Sequence, residues 1–137
     1  MKTSLIADSS GIISLTSQHD RNHAIALVES EKYSTINESI LVPSDVFSET
    51  INILGKKAGH SAALTTASIL REEAVFIIVE MTLTLREEAL KKFAEQQEGV
   101  SFTDCMVMAF ADHYDTKHIF GFDEVFKKNG YHALSPR

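Results

Sequence analysis

Short apolar runs, each cut off by a polar residue or proline and followed by helix-compatible sequence, recur along this chain and restrict it to few folds. Leu5-Ile6-Ala7 stops at Asp8-Ser9-Ser10, Ile40-Leu41-Val42 at Pro43, Val75-Phe76-Ile77-Ile78-Val79 at Glu80, and His118-Ile119-Phe120-Gly121-Phe122 at Asp123. Runs this short and this apolar read as strands buried on both faces, the habit of parallel sheets. Helices are expected between them, at 11–15, 20–31, 44–58, 61–73, from Thr84 to Gly99, from Ser101 to Ala111, and at 124–129. No Asn-Gly hairpin turn joins one of these runs directly to the next, so the alternation implies an α/β sandwich with a mainly parallel sheet. Tyr131 to Leu134 supplies a last edge strand, which makes about five, and the 75–79 run is expected to be central or well covered.

Local signals set the expected boundaries. Gly59 should stop the third helix, with Lys56 and Lys57 in its last turn. Ala63, Leu64, Ala67 and Leu70 fall at helical spacing, a packing surface for a neighbouring helix or a second copy of the chain. Thr84 precedes Glu87 by three residues, a capping-box spacing, while Glu87 and Glu88 precede Lys91 and Lys92 by four and read as a solvated face. The apolar run from Cys105 to Ala111 covers every side of its helix, which must therefore be buried.

The 137 residues, 44% of them hydrophobic, suffice for one continuous core, and a single domain over residues 1–137 is expected. Met1 to Ala7 is too brief an apolar run for a signal peptide and no run approaches membrane-spanning length, so a cytoplasmic protein is expected. The lone Cys105 rules out an internal disulfide framework and is expected in the core. A net charge of −6 argues against a basic protein that coats nucleic acid. It does not exclude a nuclease, because divalent cations reverse the local field of clustered carboxylates.

Four acids stand where stability alone does not ask for them. Asp8 and Asp123 each end an apolar run. Glu49 shares a helical row with Val46 and Ile53, while Ser48, Asn52 and Lys56 mark the solvent side. Asp104 is followed at three, four and seven residues by Val107, Met108 and Ala111, which places it on a face that its helix buries. Each has a plain alternative: Asp8 as a helix cap, Asp104 as the acidic member of a capping box with Ser101, Glu49 as the partner of a nearby lysine. Jointly, however, strand ends and helix starts lie at one edge of a parallel sheet, where open α/β folds bind ligands. Like charges gathered there raise one another's pKa and cost stability unless a cation compensates. Oxygen-only donors favour Mg²⁺ or Mn²⁺ over zinc. His19 and His23, four residues apart, lack a third close ligand for zinc.

The ordered set of Ile-Ala-Asp-Ser-Ser at the start, Val42-Pro43-Ser44 before the Glu49 helix, Ser-Phe-Thr-Asp at 101–104, and Gly-Phe-Asp-Glu-Val-Phe at 121–126 resembles a PIN-domain ribonuclease. It is nearest to the VapC-like toxins of toxin-antitoxin pairs, over essentially the whole chain. The resemblance implies a three-layer α/β/α sandwich and a metal-dependent endoribonuclease that leaves a 5′-phosphate and a 3′-hydroxyl. It implies Asp8, Glu49, Asp104 and Asp123 as the catalytic, metal-binding residues for Mg²⁺ or Mn²⁺, with Ser9 and Thr103 as polar neighbours that help place metal or substrate. It further implies an RNA substrate, a small antitoxin partner and a homodimer. Many relatives carry Thr or Ser two residues before the last acid, where this chain has Gly121.

Other readings stay open on the residues alone. They are an RNA-processing nuclease of the same fold without an antitoxin and a catalytically idle interaction module. Phosphoryl transfer to an aspartate fits less well. A haloacid-dehalogenase-like site needs a second Asp two residues after the first, where Ser10 stands, and a receiver domain needs an acidic pair that the chain lacks. Lys56, Lys57, His60, Lys117, Lys127 and Lys128 are candidates for holding phosphates, and Asp112 and Asp115 lie too far along their helix from Asp104 to join it.

Overall fold

The computed structural model describes residues 4–137; Met1 to Thr3, the start of the segment judged too brief for a signal peptide, lie outside the described residues. The chain runs β1 (Leu5–Ala7), α1 (Ser9–Thr16), α2 (His23–Thr35), β2 (Ile40–Pro43), α3 (Ser44–Lys57), α4 (His60–Glu72), β3 (Phe76–Val79), α5 (Leu83–Glu95), α6 (Phe102–His113), β4 (Ile119–Phe120) and α7 (Glu124–Lys128). All strand pairings are parallel, in the order β3-β2-β1-β4. Leu5 pairs with Ile40, Ile6 with both Leu41 and Ile119, and Ala7 with Phe120. Successive side chains of β1 and β2 are all buried although they point to opposite faces, so helices cover both sides of the sheet centre.

That strand order places a reversal between β1 and β4. From β1 the chain builds outward through β2 to β3, then crosses back to lay β4 on the other side of β1. The carboxyl ends of the strands flanking such a reversal form a crevice. Gly11 permits the close packing there, because any Cβ at this position would collide with the Phe120 carbonyl.

Three expectations change. The 75–79 run forms the sheet edge rather than its centre: Phe76 is buried but Ile77 is 46% exposed. Apolar composition reports that a strand packs well, not which place in the sheet it takes. The fifth strand shrinks to one parallel bridge between His118 and His132, held by the His132 amide donating to the Lys117 carbonyl at 2.7 Å. The cap of α5 is Thr82, whose hydroxyl accepts the Leu85 amide at 3.2 Å, because this start turns Leu85 and Ala89 into the core and leaves Leu83 outside.

Helix ends also move. α5 stops at Glu95, and Gly99, at φ +93°, belongs to the turn before α6. Lys92 leaves the expected pairing with Glu88 and reaches Asp112 on α6 instead, at 2.6 Å. The apolar stretch Cys105–Ala111 is buried on every side, as its composition requires, and Cys105 is a free core thiol. No helix among the described residues is long and apolar enough to cross a membrane.

Candidate metal centre

Asp8 follows β1 directly and is held from two directions. Its backbone is extended (φ −107°, ψ 158°), and its amide donates to the Phe120 carbonyl at 3.0 Å, carrying the β1–β4 ladder one residue further. Its side chain caps α1: Oδ2 accepts the Ser10 hydroxyl at 2.8 Å and, more weakly, the Ser10 amide at 3.4 Å. The capping role considered for Asp8 is therefore real, and it coexists with an unusual burial, since the residue is only 3% exposed.

Ser10 completes the clamp. While its hydroxyl donates to Asp8, its oxygen accepts the Phe122 amide at 3.0 Å, tying the end of β4 to the first turn of α1. Gly121 sits against the same group. A Cβ there would come within 2.8 Å of the Asp8 Cβ and 3.1 Å of the Ser10 oxygen. With no side chain at Gly121, the Ser10 hydroxyl has room between the Asp8 carboxylate and the Phe122 amide. The resemblance points to Ser9, whereas the observed hydrogen bonds to Asp8 come from Ser10. The available signal was its position two residues after a capping Asp, but the Phe122 contact depends on β4 lying beside β1.

The other acids arrive from the helices around the crevice. Asp104 stands in the first turn of α6, its amide donating to the Ser101 hydroxyl at 3.0 Å, so the expected Ser101 cap forms. Its half-buried carboxylate turns toward Asp8. Asp123 is the N-cap residue of α7, but its side chain makes no capping hydrogen bond there, and it is exposed. One carboxylate oxygen from each of Asp8, Asp104 and Asp123 falls within 4.8 Å of the others. Glu49, half-buried in the second turn of α3, lies outside this trio but close enough that its charge acts on both Asp8 and Asp104.

Electrostatics record the crowding. Burial pushes the Asp8 carboxyl up from its ordinary 3.8 to about 6. The Ser10 hydrogen bonds oppose the rise, and the Asp104 and Glu49 carboxylates add to it. Asp104 is also raised, first by burial and then by Asp123 and Glu49, against the lowering effect of Ser101. A divalent cation would reverse this balance by giving the carboxylates a common counter-charge. The trio offers oxygen donors only, which fits a hard cation of the Mg²⁺ or Mn²⁺ class.

The remaining candidates separate cleanly. Ser9 and Thr103 stand at the starts of α1 and α6, both half-buried beside the acids. Asp112 is engaged by Lys92 and by the Tyr131 hydroxyl at 2.7 Å. His23 Nδ1 lies 2.9 Å from the Ser14 carbonyl, and among the described residues neither His19 nor His23 belongs to a cluster of three groups able to hold a metal. Lys56, Lys57, His60, Lys117, Lys127 and Lys128 are all exposed, and Lys128 lines the cavity beside Asp104 and Asp123.

Comparison with known proteins agrees with this geometry. The PIN domain family model matches residues 5–130. Among solved structures, the toxin VapC20 of Mycobacterium tuberculosis, described as cleaving the sarcin-ricin loop, shares the fold with a TM-score of 0.81. The match has 22% sequence identity and covers 96% of this chain and 99% of that one. No curated protein sequence matches the chain at a significant level.

Proposed function

From the premise that this chain belongs to the PIN domain family, we propose that it is a metal-dependent endoribonuclease, acting as the toxin of a toxin-antitoxin pair and folding as one domain over residues 1–137. The observation that carries the reading is the convergence of Asp8, Asp104 and Asp123 within 4.8 Å at the sheet's reversal point, with Glu49 beside them. Such a group of like charges, buried at one corner, is costly as structure and useful as a cation site. Likeness in fold to a toxin that cleaves the sarcin-ricin loop supports RNA as the substrate.

In this reading Asp8, Asp104 and Asp123 hold Mg²⁺ or Mn²⁺, and Glu49 completes the acidic wall. When bound, the cation supplies a more acidic water and offsets charge on the phosphodiester. The chain's own residues do the positioning. Ser10 fixes the Asp8 carboxylate against β4, Ser101 fixes the start of α6 under Asp104, and Ser9 and Thr103 are placed to hydrogen-bond substrate. The negative wall makes RNA binding depend on the cation, since bare carboxylates repel phosphate. The protein is expected to act in the cytoplasm, to form a homodimer and to be held in check by a small antitoxin.

Purified protein should cut RNA in Mg²⁺ or Mn²⁺, lose the activity to EDTA, and lose it in Asp8→Asn. Expression in a host should arrest growth for the wild type and not for that variant. Undiminished cleavage by Asp8→Asn would refute the assignment, and folded, metal-loaded wild type that cuts no RNA would favour an idle interaction module.

A further inference from the structure

Beside the acidic trio the surface opens into a cavity of about 550 Å³ between the end of α5, the turn before α6, and α7. Its volume falls within the range of roughly 300–1,000 Å³ typical of small-ligand pockets. Asp104 and Asp123 line it, so whatever enters it lies next to the proposed cation site. The rest of its wall includes Gln96 and Asn129, with Glu95, Glu124 and Lys128. Neither the reading of the acids nor the polar neighbours Ser9 and Thr103 uses this wall.

The two amides are arranged for recognition rather than for packing. Gln96 Nε2 donates to Asn129 Oδ1 at 3.0 Å, and Asn129 Nδ2 donates back to Gln96 Oε1 at 3.0 Å. Asn129 Nδ2 also donates to the Val125 carbonyl at 2.9 Å, which fixes its orientation on α7. A reciprocal amide pair 33 residues apart in sequence, on exposed and half-exposed side chains, adds little stability, because water serves each partner nearly as well. What it does hold ready is a donor and an acceptor side by side, the pattern that the hydrogen-bonding edge of a nucleobase presents. Bases of single-stranded or looped RNA are read on that edge.

We propose that this cavity is a base subsite, in which Gln96 and Asn129 exchange their mutual hydrogen bonds for the edge of the nucleotide next to the scissile phosphate and so set the cleavage preference. The carboxylates of Glu95 and Glu124 favour a base that presents N–H donors, which makes guanine, with its N1–H and exocyclic amine, the preferred occupant. Lys128, at the same wall, offers a cation for a flanking phosphate. The inference rests on the ribonuclease reading above and adds to it the residues that select the sequence.

The test compares wild type with the double variant Gln96→Ala, Asn129→Ala on a set of RNA oligonucleotides. Each oligonucleotide varies a single nucleotide on either side of the cut, and cleavage rates are read in Mn²⁺. Wild type should prefer guanine by about tenfold or more at one flanking position. In the double variant the rates for the four nucleotides at that position should converge, while discrimination elsewhere is kept. A merely structural effect would instead slow all substrates in proportion. Lys128→Ala should weaken substrates uniformly without changing the preference. Asp8-dependent cleavage with the same preference in wild type and double variant overturns the subsite and leaves the nuclease standing, whereas wild type that cuts no RNA overturns both. Preserved cleavage preference combined with lost binding of a protein inhibitor would assign the amides to a protein partner and likewise overturn the subsite.

Discussion

Helix α6 carries an aspartate near each end, and the two are treated in opposite ways. Asp112, in the last turn, is met by the Lys92 ammonium at 2.6 Å and the Tyr131 hydroxyl at 2.7 Å. These contacts join α5, α6 and the carboxyl-terminal segment. An acid at a helix carboxyl end is disfavoured by the helix dipole, and here a partner cation and a hydroxyl compensate it. Asp104, in the first turn, has the favourable end of the dipole, yet its neighbours include the carboxylates of Asp8 and Asp123, with Glu49 close by. The fold provides a counter-charge at Asp112 and gathers like charges around Asp104, where the proposed function would seat a cation. Tyr131 belongs with the first kind: burial, followed by its bond to Asp112, pushes its hydroxyl up to about 12, so it remains a donor throughout the physiological range.

Substitutions in the acidic group and at Asp112, at the two ends of α6, should have opposite consequences. The largest expected difference is in activity. Asp8→Asn should lower metal-dependent RNA cleavage by roughly a thousandfold or more, as loss of a ligand at a metal-activated site does. Asp112→Asn should leave the rate per folded molecule near that of wild type, which single-turnover assays on both variants would establish.

Next in size is a pH effect on stability. In the unfolded chain Asp8 titrates near 3.8 and in the folded protein at about 6, so the folded state holds the extra proton between those values. Stability of the metal-free protein should therefore fall as pH rises from about 4 to about 6, by about 3 kcal/mol, and level off above. Denaturant unfolding at a series of pH values would measure the slope, and Asp8→Asn should remove the Asp8 part of it, leaving the contribution of Asp104, whose carboxyl is raised as well. The paired end gives a smaller effect. Asp112→Ala strands a partly buried Lys92 and the Tyr131 hydroxyl, and should cost about 1 kcal/mol, the pair being substantially exposed.

Much of this contrast can be read in the sequence, but unevenly. The acids at 8, 104 and 123 are legible because each interrupts an apolar pattern at a strand end or a helix start, signals confined to a few neighbouring residues. Glu49 is legible as a half-buried face of α3, though one turn further along the helix than a first-turn position. The role of Ser10 is hidden because its second partner, the Phe122 amide, lies 112 residues away, just after β4, which runs parallel to β1. Gly121 reads as a departure for the same reason: only the register of β1 with β4 reveals that its missing side chain makes space for that hydroxyl. The edge position of β3 and the pairing of Lys92 with Asp112 likewise depend on which elements become neighbours in space.

In the proposed function, Asp8, Asp104 and Asp123 are held together at a cost in stability that a cation removes. Thermal unfolding of wild type and Asp8→Asn at pH 7.5, each with EDTA and with Mn²⁺, tests it directly. Without metal the variant should melt above wild type, since a buried carboxylate among like charges has been neutralised. With Mn²⁺ the order should reverse, wild type rising by several degrees while the variant moves little. A variant that melts below wild type in EDTA, together with no Mn²⁺-dependent rise in wild type, would contradict the account.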